Sequence, residues 1–253
     1  EERSEQMTRY RDTLPNLILT DYIEFRWFLD GELKETARIG NLSRDLKIKK
    51  AEDGINAVAN LINGFLAQEM PIVGRADDLA RRMANSARML CDAIESTFKQ
   101  EGENEKLHAQ IKAFKEALIP DLTTSRFADM YAQTIAYGLF AARIRIQNQE
   151  FTREKAGWNL PKTNPFLRKL FNEIAGPDLD DRIAWIADNL VNLLARADMT
   201  EILRDFGSKK GKEDPIVHFY ETFLAKYDPK ERMKRGVYYT PEPVVSYIVR
   251  SID

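Results

Sequence analysis

Apolar residues recur at intervals of three and four over most of this chain, and that period constrains the fold more than any other feature. Leu79, Met83, Leu90, Cys91, Ile94 and Phe98 form one series; Phe127, Met130, Tyr131, Ile135 and Leu139 form another. Side chains at this spacing share one face of an α-helix, so each stripe must be buried against a neighbour. Further stripes run through Ile55, Val58, Leu61, Ile62, Phe65 and Leu66, through Leu107, Ile111, Phe114 and Leu118, and through Ile183, Ile186, Leu190, Leu193 and Leu194. Pro71, Gly74, Gly102, Pro120 and Gly176-Pro177 separate them, as residues that interrupt helices should. Helix-capping oxygens are available at Thr124 or Ser125, at Asn164 and at Asp178. The reading is a mainly α chain, a multi-helix bundle, helical from about Leu42 onward.

One stretch breaks the period. Ile23, Phe25, Trp27 and Leu29 alternate with Tyr22, Glu24, Arg26 and Phe28, and Asp30-Gly31 follows. Alternation before such a dipeptide predicts a β-hairpin, with Glu32 to Ile39 as the return strand. A short N-terminal β-hairpin therefore joins the bundle. Isolated hairpins are marginal in water, so this one must lean on helices or on further strands. The turn pairs Leu29 with Glu32 and, in straight register, Asp21 with Gly40. That register disposes of an apparent metal-nuclease motif, Asp21 with Glu32-Leu33-Lys34. Asp21 would lie eight residues, roughly 26 Å, from the partner of Glu32, too far for two ligands of one Mg²⁺.

The chain has 253 residues, 43% hydrophobic and 31% charged, enough to bury a core. A net charge of -2 argues against a dedicated non-specific DNA binder. Lys47, Lys49 and Lys50, and Lys209, Lys210 and Lys212, are the basic clusters. They read as solvated linkers, with a DNA-binding helical domain as the alternative. Cys91 is the single cysteine, so no intrachain disulfide can form, and it reads as a small buried hydrophobe. His108 and His218 have no Cys or His partner at ligand spacing, and no zinc site is predicted. No apolar run reaches membrane-spanning length and no signal peptide is visible, which points to a reducing cytoplasm. The chain lacks a starting Met and is expected to be a piece of a longer protein.

The remaining motifs are local. Asn164-Pro165-Phe166 lacks the second proline of an Asn/Asp-Pro-Pro-Tyr/Phe base-flipping loop, and reads as a cap followed by a core residue. Asp77-Asp78 and Asp180-Asp181 are first-turn carboxylates at positive helix ends. No glycine-rich phosphate loop or Ser-His-Asp set is present. Gln6 and Tyr10 are four apart on one helix face. Gly207 to Glu213 is a polar linker, the clearest boundary in the sequence. Beyond it, Thr240 caps a helix with Pro241 in its first turn and Val244, Val245, Ile248, Val249 and Ile252 on one face. Tyr238 and Tyr239 stand just before the cap. Spacing leaves two readings of this stretch, a docking helix and a site for a small anionic or zwitterionic ligand.

Several of these stretches together resemble one family. Asp214-Pro215-Ile216-Val217-His218-Phe219-Tyr220-Glu221-Thr222-Phe223-Leu224, Tyr227-Asp228-Pro229, Arg235-Gly236-Val237-Tyr238-Tyr239-Thr240-Pro241 and Val244-Val245 resemble the N6-adenine DNA methyltransferases of single-chain restriction–modification enzymes (type IIG and the type I-like single-polypeptide kind). The resemblance implies that Tyr239, Thr240 and Pro241, with Tyr238, line an S-adenosylmethionine pocket. Gln6-x-x-x-Tyr10, Leu14-Pro15-Asn16-Leu17-Ile18-Leu19-Thr20-Asp21 and Glu24-Phe25-Arg26-Trp27 resemble the end of the same enzymes' PD-(D/E)xK nuclease. There Gln6 and Tyr10 would support the DNA and the nuclease site. Three segments are implied: 1-44 as a nuclease remnant, 45-210 as a helical spacer, and 211-253 as the lead-in to the methyltransferase domain. The larger enzyme would bind double-stranded DNA, use S-adenosylmethionine, and need Mg²⁺ for cleavage. In that family adenine flips out and its amine attacks the cofactor's methyl group. The family's glycine-rich and Asn/Asp-Pro-Pro-Tyr/Phe motifs and its nuclease Asp and Glu-x-Lys are missing from these residues. The chain alone is therefore expected to be inactive and to bind no Mg²⁺. The alternative is a non-catalytic helical interaction module.

Overall fold

The computed structural model describes residues 4–43, 45, 47–100, 106–117, 119–146, 150–158, 171, 176, 179–207, 215–230 and 242–252. The chain is mainly α, as the spacing predicts. By packing it divides into two compact units, Glu1–Pro71 and Ile72–Asp253. This division falls elsewhere than the segments 1-44, 45-210 and 211-253, because residues 54–67 pack on the N-terminal sheet.

In the first unit, helix α1 (Glu5–Thr13) begins at Ser4, whose hydroxyl accepts from the Met7 N–H at 3.2 Å. Strands β1 (Asn16–Thr20), β2 (Glu24–Leu29) and β3 (Glu32–Arg38) then form an antiparallel sheet in the order β1-β2-β3. The predicted hairpin is thus two strands of three. Asp30 and Gly31 form its turn, with φ of 49° and 85°; a side chain is tolerated poorly at such angles, which explains the glycine.

The register departs from the straight one. Leu29 does pair with Glu32, but a bulge between Trp27 and Phe28 shifts the rest, so Glu24 pairs with Arg38. Asp21 does not face Gly40. It sits in the β1–β2 turn, where its carboxylate accepts from the N–H groups of Ile23 (2.9 Å) and Glu24 (2.7 Å). Trp27 and Phe28 are both buried, although alternation sends them to opposite faces. Phe28 lies under the Arg11 guanidinium of α1, 5.7 Å away. Trp27 packs with Val58, Leu61 and Phe65 of α2 (Gly54–Ala67). Its indole donates to Asn16 Oδ1 at 2.7 Å, and the Asn16 amide donates to the Phe65 carbonyl at 3.0 Å.

A second departure lies between sheet and helix. The chain is not helical from Leu42. Strands β4 (Gly40–Leu42) and β5 (Ile48–Lys50) pair as an antiparallel ribbon, and α2 starts only at Gly54. Lys47, Lys49 and Lys50, read above as a solvated linker, belong to that ribbon. Lys209, Lys210 and Lys212 lie outside the described residues.

The second unit is built on α3 (Ala76–Gln100). Against it pack α5 (Thr124–Arg145), α7 (Asp181–Ala195), α8 (Met199–Gly207) and α9 (Pro215–Tyr227). Ala80, Ala84 and Ala87 on α3 and Ala128, Ala132 and Ala136 on α5 are wholly buried. Rows of small residues at this spacing let helices approach closely. Helix α4 (Lys106–Ala117) buries Leu107 and Ile111, and α6 (Arg153–Trp158) packs between α5 and α7. Two caps fall beside the expected residues. Thr123 caps α5, accepting from the Arg126 N–H at 3.2 Å, and Asp180 caps α7, accepting from the Arg182 N–H at 2.9 Å. Helix α10 (Glu242–Ile252) leaves Val244, Tyr247, Ile248, Val249 and Ile252 exposed. Among the described residues no helix is long and apolar enough to cross a membrane.

Candidate functional site

The described half of the C-terminal motif is helix α9. Phe219, Tyr220, Phe223 and Tyr227 fall on one side of it, at offsets of one, four and eight residues. Phe219 stacks on Phe140 with ring centroids 3.9 Å apart, Tyr220 meets Tyr137 edge-on at 4.8 Å, and Phe223 stacks on Tyr227 at 5.6 Å. Phe219 and Phe223 are fully buried. These motif positions therefore build the core, each aromatic burying a large apolar area.

At the end of this ladder lies a polar cluster. The Tyr227 hydroxyl donates to Asp129 Oδ1 at 2.7 Å, and the Gln133 amide donates to Asp129 Oδ2 at 2.9 Å. Both carboxylate oxygens are thus engaged. Arg88 of α3 donates to the carbonyls of Lys226 (2.8 Å) and Tyr227 (3.0 Å) and also to Asn85. A guanidinium on the last carbonyls of a helix satisfies groups the helix leaves open and opposes its negative end. Lys226 Nζ adds an ion pair with Asp77 at 2.8 Å. Asp228 Oδ1 then accepts from the Lys230 N–H at 3.0 Å and opens a new turn.

The chemistry of this cluster is that of a fixed joint. Burial pushes the Cys91 thiol up to about 12, with the charges of Asp129, Glu95 and Asp92 adding to it. Burial, followed by the hydrogen bond to and charge of Asp129, also raises the Tyr227 phenol. Both groups keep their protons at neutral pH. A nucleophilic cysteine needs the thiolate, which these surroundings disfavour; Cys91 is half-buried, not the fully buried residue its spacing predicts.

A cavity of about 500 Å³ lies elsewhere in the second unit, lined by Arg143, Phe151, Arg153, Asp188 and Asn192 among others. Its cations are already engaged. Arg143 donates to the carbonyls of Leu194 (2.9 Å) and Ile146, and Arg153 Nε stands 3.0 Å from Asp188 without an aligned hydrogen bond.

Of the residues expected at a site, Gln6 and Tyr10 are together: the Gln6 amide donates to the Tyr10 hydroxyl at 3.0 Å on exposed α1. Tyr238, Tyr239, Thr240 and Pro241 lie outside the described residues, as do Asn164 and Phe166. Glu32 opposes Leu29 at the hairpin turn, whereas Asp21 is at the far end of β2. Lys34 lies over the Trp27 ring, 4.1 Å away, and donates to Gln68. Among the described residues no group of three His, Cys, Asp or Glu side chains is placed to hold a metal ion. Asp129 and Arg88 are the residues sequence reasoning misses. A charged residue inside an apolar helical stripe is the only signal that either gives. No protein-family model, no curated protein and no solved structure matches the chain.

Proposed function

We propose that this chain is the coupling part of a cytoplasmic single-chain restriction–modification enzyme. That enzyme would methylate adenine N6 in double-stranded DNA with S-adenosylmethionine and cleave DNA through a Mg²⁺-dependent nuclease. In this reading residues 211-253 lead into the methyltransferase domain, residues 45-210 separate it from the nuclease, and Gln6 and Tyr10 belong to the nuclease side. The observation that supports the reading most is the joint at Tyr227. Asp129, Gln133 and Arg88 anchor the end of α9 about ten residues before Tyr238. A cofactor wall made by Tyr238, Tyr239, Thr240 and Pro241 needs such an anchor, because rigid support is what gives a binding site its geometry. The cofactor supplies the methyl group; the part assigned to these residues is to hold it in place.

Calorimetric titration of S-adenosylmethionine into the full-length gene product tests the proposal. Thr240→Ala is expected to weaken binding at least tenfold with thermal stability little changed. Equal affinity in the two proteins would instead support a second reading, a non-catalytic helical interaction module. One observation favours that reading: Phe219, Tyr220, Phe223 and Tyr227, all motif residues, are used for packing.

A further inference from the structure

We infer that the ribbon β4–β5 is a nucleic-acid contact that enters a groove of duplex DNA. The ribbon has two unlike faces. Leu42 pairs with Ile48, Asn41 with Lys49 and Gly40 with Lys50. Side chains alternate between the faces of a strand. Leu42, Ile48 and Lys50 therefore share one face, and Asn41 and Lys49 the other. Ser43 and Lys47 continue the second face, because the Ser43 N–H donates to the Lys47 carbonyl at 2.9 Å. Lys47 and Lys49 thus stand side by side about 6.6 Å apart, on the scale at which a nucleic-acid backbone repeats its phosphates.

The other face carries an apolar pair with no cover. Leu42 is 58% exposed and Ile48 61%. The ribbon is held at its base. The Ala51 N–H donates to the Ile39 carbonyl at 3.0 Å, and Gly40 is buried where a Cβ would stand 2.8 Å from the Ile48 side chain. It carries one described carboxylate, Asp45, which accepts from the Ser43 hydroxyl at 2.5 Å and lies 3.6 Å from Lys47 Nζ. Three lysines against that one acid give the ribbon a local positive charge within a chain of net charge -2.

A two-stranded ribbon fits a groove of duplex DNA. Standing on edge there, it meets both walls at once. Lys47 and Lys49 face one phosphate strand, with Asn41 as a further donor. Leu42 and Ile48 face the sugars and base edges opposite, where apolar side chains are used as wedges. An anionic membrane is the other surface that takes cations with apolar residues. It needs both on one side, and here only Lys50 shares the face of Leu42 and Ile48, whereas the Lys47–Lys49 pair lies on the opposite one. The ribbon's own geometry carries this inference, although it shares its DNA partner with the proposed function.

Fluorescence anisotropy of the full chain with a labelled 30-base-pair duplex provides the test, at about 50–200 mM salt. Lys47→Gln with Lys49→Gln is expected to weaken binding at least tenfold at low salt. It should also lower the slope of log affinity against log salt by about 2, one for each lost phosphate contact. Leu42→Ser with Ile48→Ser should weaken binding severalfold and leave that slope unchanged. All four side chains are exposed, and circular dichroism checks that each variant folds. Wild-type affinity in the lysine variant, or no duplex binding by the wild type, would overturn the inference. Binding to phosphatidylserine vesicles with none to the duplex would overturn it in favour of a membrane. Retained S-adenosylmethionine binding by the full-length product in either case would leave the proposed function standing.

Discussion

Tyr227 donates a hydrogen bond to an aspartate that already has a second donor, and it does so where little water reaches. Removing one partner of a buried hydrogen bond to a charged acceptor costs about 1–3 kcal/mol. Tyr227→Phe keeps the ring that stacks on Phe223 and loses the hydroxyl's bond to Asp129 together with its contact to the Cys91 thiol. Urea unfolding is expected to register a loss of that size. The pH dependence goes further. The Cys91 and Tyr227 protons are held more tightly in the folded chain than in the unfolded one. Their contribution is complete below the unfolded values, about 8.5 for Cys and about 10 for Tyr, and is lost as pH rises past them. The urea midpoint should therefore fall between about pH 8.5 and pH 11, and fall less steeply in Tyr227→Phe. An unchanged slope in the variant would remove the phenol from that account.

Helices and strands differ in how openly the sequence declares them, and the acid side of the pH profile shows what the strands add. Glu24 on β2 lies between Arg26 on the same strand and Arg38 on β3. Burial alone would raise its carboxyl, but the two guanidiniums outweigh it and the net shift is downward. Asp78, beside Arg81 and Arg82 on α3, behaves likewise. A depressed carboxyl contributes stability above its unfolded value and loses it as pH falls through the folded one. The urea midpoint is expected to drop between about pH 5 and pH 3, and Glu24→Gln should shrink that drop. The long helices are legible because a stripe repeated over many turns admits one period. The ribbon is not: three-residue strands leave no room for alternation, and a lysine-rich stretch reads equally well as linker. The bulge at Trp27 leaves no mark in residue type, so a straight register misplaces Asp21. Caps shift by a residue or two where Thr123-Thr124-Ser125 or Asp178-Leu179-Asp180-Asp181 offers several equivalent oxygens. At the candidate site the quoted stretch includes Tyr227 but gives it no role, and Asp129 and Arg88 are recognised only when helices far apart in sequence meet.

For the whole chain, the coupling role proposed above carries an expectation about activity. The 253 residues contain no glycine-rich cofactor motif and no Asn/Asp-Pro-Pro-Tyr/Phe loop. The half-buried Cys91 thiol and buried Tyr227 phenol are held protonated at neutral pH. The purified 253-residue chain is expected to incorporate no labelled methyl into duplex DNA and to leave supercoiled plasmid uncut in Mg²⁺. Methyl incorporation above the no-protein control would sink the coupling role, since the chain would then carry the chemistry itself.

One small feature sets an order on the birth of this molecule. Val73 forms a parallel bridge with Ala197: its N–H donates to the Arg196 carbonyl at 3.2 Å, and the Asp198 N–H donates to its carbonyl at 2.9 Å. These partners are separated by roughly 120 residues, which a ribosome adds in about 6–25 s at 5–20 residues per second. During that interval the first residues of the second unit have emerged and their partner has not been made. The bridge closes only after α7 and Asp198 have been made, so it can tie the start of the second unit to its middle while α8, α9 and α10 are still to come.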